Sequence, residues 1–129
     1  MDIAVAEQTD GRVPVTIFHI RGDVDTKSSE QLQMRAREAV VNGTRNLLLD
    51  LSEVRFVSSA GLRTFHIIFK LLTEESDESM SKGVREGTFR ASHLKLVNPS
   101  PSVEEVLHTS GFDMFLEVHH DLQKAIASF

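Results

Sequence analysis

Apolar residues in this chain alternate between short dense runs and runs spaced three and four apart, the signatures of strands and helices respectively. Ile3–Ala6 reads as a short first strand and Val13–Arg21 as a second, with Gly11 between them suggesting a hairpin. Within the second, Val15, Ile17 and His19 alternate with Thr16, Phe18 and Ile20, so both faces have apolar cover. Gly22-Asp23-Val24-Asp25 breaks the strand. Thr26 or Ser28 then caps a helix, with Ser28 and Gln31 at capping-box spacing. Leu32, Ala36, Ala39 and Val40 share one face of that helix, and Asn42-Gly43 ends it.

Leu47-Leu48-Leu49 is continuous rather than alternating, and with Leu51 it predicts a strand buried on both faces. Val54 and Phe56 follow across a short connection. Leu62, Phe65, Phe69 and Leu72, with Ile68 beside them, then predict an amphipathic helix from Ser59 or Ala60 to the low seventies. His93–Val97 is a further strand, and Asn98-Pro99-Ser100-Pro101 leads into a helix capped by Ser100 and stopped at Gly111. Phe115–Val118 is the last strand, and Asp121 caps a closing helix with Leu122, Ala125, Ile126 and Phe129 on one face. Strands alternating with helices predict an α/β fold: one domain over residues 1–129, its mixed, mostly parallel β-sheet packed with about four helices. Glu74–Ser92 breaks the pattern. Its acidic residues, four serines, two glycines and isolated Phe89 read as a frayed helix end and an irregular inserted loop, or as a partner contact.

The densest information lies in Asn46–Leu72, NLLLDLSEVRFVSSAGLRTFHIIFKLL. A buried strand ends in polar residues, and Ser58-Ser59 stand directly before Ala60-Gly61-Leu62 and the helical pattern. A serine there meets the unpaired N–H groups of a helix entrance, a position that suits an anion such as a phosphate carried by the serine itself. Read locally, Ser59 is equally a helix cap. The two roles coexist if Ser58 or the turn supplies the cap.

Composition removes several function classes. The chain has 129 residues, 40% apolar and 26% charged, which suits one soluble globular domain. Its net charge of −5, with scattered basic residues, argues against nucleic-acid binding. The absence of cysteine excludes disulfides, thiol catalysis and thiolate metal sites, and is compatible with the cytoplasm. The N-terminus lacks a signal-peptide pattern, and no apolar run is long enough for membrane insertion. Six histidines carry no metal-ligand spacing: His119 and His120 are adjacent, and His66 and His108 have no histidine four residues away. A nucleophile elbow would need glycine at Val57 as well as at Gly61, and no glycine-rich phosphate loop is present, so neither ester hydrolysis nor nucleotide chemistry is indicated. No cofactor or metal is expected.

Taken in order, GDVD at 22–25, LLLDLSEVRFVSSAGLRTF at 47–65, LKLVNPSPSVEEVLHTSGF at 94–112 and Ala125 resemble the STAS domain (sulfate transporter and anti-sigma factor antagonist), and within it the freestanding bacterial anti-sigma factor antagonists. The resemblance runs nearly end to end. It implies a non-catalytic module that captures an anti-sigma factor when unphosphorylated. That partner doubles as a serine kinase of the histidine-kinase-like ATPase fold. Phosphorylation releases it, and a metal-dependent serine phosphatase resets the switch. The resemblance puts the phosphoacceptor two residues before Gly61-Leu62, at Ser59, with Ser58 as an alternate hydroxyl. It makes Asp23 and Asp25 acidic residues of a partner-contacting rim, although as bare sequence both are ordinary turn residues. Ser58, Ala60, Gly61, Leu62 and Arg63 complete the implied partner surface, and Asp50 matches the family's strand-end aspartate.

The chain departs from the usual pattern in two places. Ser58 stands where many members have Asp, with Ala60 in place of Ser or Thr, and Glu74–Ser92 is about ten residues longer than the usual connection. A rival within the fold is a STAS subunit of a lipid-transport or larger signalling complex that lacks the phosphoswitch.

Overall fold

The computed structural model describes residues 1–9, 13–76 and 93–129. Its strands are β1 (Asp2–Gln8), β2 (Val15–Arg21), β3 (Leu47–Glu53), β4 (Leu94–Val97) and β5 (Glu117–His119). Its helices are α1 (Thr26–Val41), α2 (Ser59–Ser76), α3 (Pro101–Thr109) and α4 (Leu122–Ala127), with a 3₁₀ turn at Phe112–Met114. The strands form one sheet in the order β1-β2-β3-β4-β5. β1 runs antiparallel to β2, and the other neighbours are parallel. The expected α/β architecture is therefore present.

The continuous leucine run divides between two layers. Leu47, Leu49 and Leu51 enter the larger core with Phe18, Ile20, Leu32, Ala36, Phe65, Ile68 and Leu72. Leu48 faces the other way, into a smaller cluster with Val15, Ile17, Val97, Ala125 and Ile126. α1, α2 and α3 thus cover one face of the sheet, and α4 covers the other. Burial of a leucine or phenylalanine side chain stabilises by roughly 1.5–3 kcal/mol, so β3, apolar on both faces, anchors both layers.

Lys95 departs from this apolar pattern, since it sits on central β4 yet is 3% exposed. Its ammonium donates to the Ser128 carbonyl at 2.9 Å and the Ser128 hydroxyl at 3.0 Å. It also pairs with Glu117 at 3.1 Å and lies 4.8 Å from the centre of the Phe129 ring. The buried charge is thereby paired and hydrogen-bonded, as burial demands, and it ties α4 to the sheet.

Several boundaries move. The N-cap of α1 is Asp25 rather than Thr26 or Ser28. Its carboxylate accepts from the Lys27 and Ser28 amides, and the Ser28 hydroxyl bonds back to the Asp25 amide at 2.9 Å. Gln31, the expected box partner, instead donates to the Met1 carbonyl at 3.1 Å. At the far end, Asn42-Gly43 stops α1 as expected. Gly43 has φ +108, and the Gly43 and Thr44 amides bond to the Val40 and Ala39 carbonyls, a Schellman closure. α2 continues from the expected low seventies through Ser76, so its end occupies the start of the Glu74–Ser92 segment. The remainder of that inserted segment, residues 77–92, and Gly11 of the hairpin lie outside the described residues. The last strand is displaced from Phe115–Val118 to Glu117–His119, because residues 112–114 form the 3₁₀ turn.

Candidate functional site

Three connections meet at the C-terminal ends of the parallel strands, where open α/β sheets place their ligand-binding crevices. The segment after β2 carries Asp23, Val24 and Asp25. The segment after β3 carries Phe56, Val57 and Ser58. The segment after β4 leads into α3. The first two are bonded together: the Val24 amide donates to the Phe56 carbonyl and the Ser58 amide to the Val24 carbonyl, both at 2.9 Å. Val24 and Val57 form an isolated parallel bridge. The third approaches through Ser102, whose hydroxyl lies 3.5 Å from the Arg55 carbonyl.

Helix α2 starts within this junction. The Ser58 carbonyl accepts the Leu62 amide at 2.9 Å, and the Ser58 hydroxyl accepts the Gly61 amide at 3.2 Å. Ser58 therefore supplies the cap, its hydroxyl satisfying one of the orphan donors of the first turn. Ser59 is the first helical residue and is exposed. Its hydroxyl and its amide have no hydrogen-bond partner among the described residues. Capping therefore falls to Ser58 and leaves the Ser59 side chain without that duty.

Gly61 explains how α2 comes so close to the Val24 segment. A Cβ there would lie 2.6 Å from the Val24 carbonyl oxygen and 2.9 Å from a methyl of each of Val24 and Val57. No side chain fits without displacing backbone. Glycine at this position is what allows the helix entrance and the Asp23–Asp25 segment to share one surface.

The acidic residues hold different positions. Asp23 is exposed, while Asp25 is partly buried and occupied in capping α1. Hydrogen bonds from the backbone amide of Ser28, then from its hydroxyl, hold the Asp25 carboxyl below its ordinary value, so it remains charged near neutrality. Asp50 lies at the middle of β3 rather than at its end; it accepts from the Ser52 amide at 3.0 Å and sits 2.6 Å from Nδ1 of His19, its register partner on β2.

Of the other residues singled out from sequence, Arg63 is exposed, Ala60 and Leu62 are partly buried, and Gly61 is buried. The sequence reading passed over Phe56, which is 52% exposed directly beside the serines. An apolar residue after a strand ordinarily packs inward, so only its exposure in the fold identifies it. Among the described residues no histidine, aspartate and glutamate group has the makings of a metal site, and no helix is long and apolar enough to cross a membrane.

Comparison with known proteins places this geometry in context. The model of the STAS domain family matches residues 4–78. BtrV of Bordetella bronchiseptica, designated an anti-sigma factor antagonist, is 30% identical over 110 residues, covering 85% of this chain and 82% of BtrV. A Thermotoga maritima structure with the same designation superposes with a TM-score of 0.74 at 18% identity, covering 96% of this chain and 91% of that one. The anti-sigma factor antagonist SpoIIAA in its unphosphorylated form gives 0.67 at 18% identity, covering 95% and 93%. The phosphorylated Bacillus form gives 0.60 at 18% identity, covering 95% and 96%. At these identities the solved structures establish the shared fold.

Proposed function

The chain belongs to the STAS domain family, and from that premise we propose that it is an anti-sigma factor antagonist working by partner switching. Unphosphorylated, it binds an anti-sigma factor that is also a serine kinase of the histidine-kinase-like ATPase fold. The kinase phosphorylates Ser59 and lets go. A metal-dependent serine phosphatase then restores the binding form. The protein works in the cytoplasm as a binding module and not as an enzyme.

The observation that carries this reading is the division of labour at the start of α2. Ser58 caps the helix, and the exposed Ser59 hydroxyl has no structural duty. A kinase can therefore take it without dismantling the fold. A phosphate there adds roughly −1.5 to −2 charge, which the helix dipole and the free first-turn amides accommodate. Its cost falls on the partner surface formed by Asp23, Asp25, Ser58, Ala60, Leu62 and Arg63, drawn together by the buried Gly61, where a group shaped for a neutral hydroxyl meets an anion instead. BtrV by sequence, and SpoIIAA by fold in both phosphorylation states, support the same reading.

The test is to incubate the chain with candidate ATPase-type serine kinases from its own genome and ATP, then locate the phosphate by mass spectrometry. Modification at Ser59 is expected, and it should persist in Ser58→Ala. A phosphate on Ser58, or failure of every such kinase to modify the chain, would contradict the reading.

A further inference from the structure

Strand β1 forms one edge of the sheet, and its outer side is unpaired among the described residues. It is seven residues long and pairs with β2 from Asp2↔Arg21 to Gln8↔Val15 without a bulge. Edge strands are ordinarily blunted by lysine, proline, bulges or shortness. β1 has none of these. Its only charges are two acids near its ends, Asp2 and Glu7; Ile3, Ala4, Val5 and Ala6 between them are apolar, Gln8 follows, and Val5 at the centre is 48% exposed.

We propose that this edge pairs with β1 of a second copy, antiparallel about a two-fold axis through Val5, so that two five-stranded sheets become one continuous sheet. The sequence of β1 is self-complementary in this register. Val5 opposes Val5, Ala4 opposes Ala6, Ile3 opposes Glu7, and Asp2 opposes Gln8. No like charges meet directly. A slip of one residue would set Asp2 against Glu7, which is destabilising, and would turn the apolar side of one strand to the opposite face.

The groove beside β1 fits the same occupant. It has a volume of about 370 Å³ and is lined by Val5, Phe18 and, from α1, Arg35, Glu38, Ala39 and Asn42. Ile3 and Val5 share the face that α1 covers, since their β2 partners Ile20 and Phe18 lie in that core, and Glu7 follows on the same face by alternation. The two α1 helices of the pair then lie on the same side, antiparallel. Arg35 and Glu38, which have no ion-pair partner among the described residues, can each meet the opposite charge across the axis. Both are present in each copy, so the exchange occurs twice, as an isologous interface requires.

Met1 packs against Gly22, and Asp2 pairs with Arg21, so the Ser59 site lies toward the Asp2 end of β1. In the antiparallel pair the two Ser59 sites fall at opposite ends of the shared sheet. The dimer leaves both open, and it does not depend on the phosphoswitch.

The chain has no cysteine, which makes a crosslinking test clean. Directly opposed residues of an antiparallel pair have Cα atoms about 4.5–5.5 Å apart, within disulfide range. Val5→Cys should oxidise to a covalent dimer at dilution, whereas Glu30→Cys, exposed on the solvent side of α1, should not. The unmodified chain should move from monomer to dimer mass in a light-scattering series reaching several hundred micromolar. Val5→Lys, with its circular dichroism unchanged, should remain monomeric throughout. A parent chain that stays monomeric, a Val5→Cys yield no higher than that of Glu30→Cys, or a dimer that survives Val5→Lys would overturn the proposal.

Discussion

Replacing Gly61 with alanine sets two physical effects of opposite sign against each other. In a helix, alanine is favoured over glycine by about 0.5–1 kcal/mol, and less near the helix end. On that ground Gly61→Ala should stabilise α2. The added methyl, however, would lie 2.6 Å from the Val24 carbonyl oxygen and 2.9 Å from methyls of Val24 and Val57. The carbonyl cannot swing aside, because it accepts the Ser58 amide at 2.9 Å and belongs to the Val24–Val57 bridge. Relief requires α2 and the Val24 segment to separate by roughly 0.5–1 Å, and overpacking of this kind costs about 1–3 kcal/mol. The steric term wins, leaving a net loss of about 1–2 kcal/mol, or roughly 4–8 °C in Tm for a chain of this size. Urea denaturation and calorimetry of Gly61→Ala measure it. Adding Val24→Ala should recover only part of the loss, because the closest contact is with backbone. An unchanged or raised Tm would refute the reasoning and show that propensity governs this position. The same separation carries Asp23 away from Ser59, so partner affinity should fall along with stability.

Substitutions at three further positions separate the roles of neighbouring groups. Ser58→Ala removes the cap of α2 and should cost about 1 kcal/mol in urea denaturation while leaving Ser59 available to a kinase. Asp25→Ala should lower Tm at neutral pH. Because the folded carboxyl titrates below its ordinary value of 3.8, its contribution is present above that value and is lost as pH falls through the lower folded value, so parent and variant should converge in acid thermal scans. Lys95→Ala leaves Glu117 without its 3.1 Å partner and α4 without its tether, and should destabilise by roughly 1–3 kcal/mol, discounted because Glu117 is partly exposed. Lys95→Met, which fills the same volume without charge, should lose less, and equal losses would show that the ion pair is immaterial.

The helices and strands were legible wherever one periodicity ran long enough. The leucines of β3 betrayed burial on both faces, and Asn42-Gly43 and Ser100-Pro101 marked helix ends through local chemistry that needs no tertiary partner. The α1 cap lies at Asp25, one to three residues before the positions the pattern favours, because Asp25 and Ser28 form a box in which serine takes the place of Glu or Gln. The 3₁₀ turn before β5 was hidden because three residues carry no period. Of the site, the serine pair and its helix entrance could be read directly. The duty of Gly61 could not, since it depends on Val24, which lies 37 positions earlier in the chain. The burial of Lys95 was equally invisible, because its carbonyl partner is Ser128.

The central claim is that one phosphate on Ser59 changes partner affinity without changing the fold. Its most direct test is calorimetric titration of the cognate anti-sigma factor with unmodified chain, with chain phosphorylated at Ser59, and with Ser59→Ala. Like-charge contact at an interface costs several kcal/mol, and a loss of about 3 kcal/mol weakens binding roughly a hundredfold. The phosphorylated chain should therefore bind roughly a hundredfold more weakly at unchanged Tm, while Ser59→Ala binds as the unmodified chain does and accepts no phosphate. Equal affinity of the phosphorylated and unmodified chains would contradict the switch.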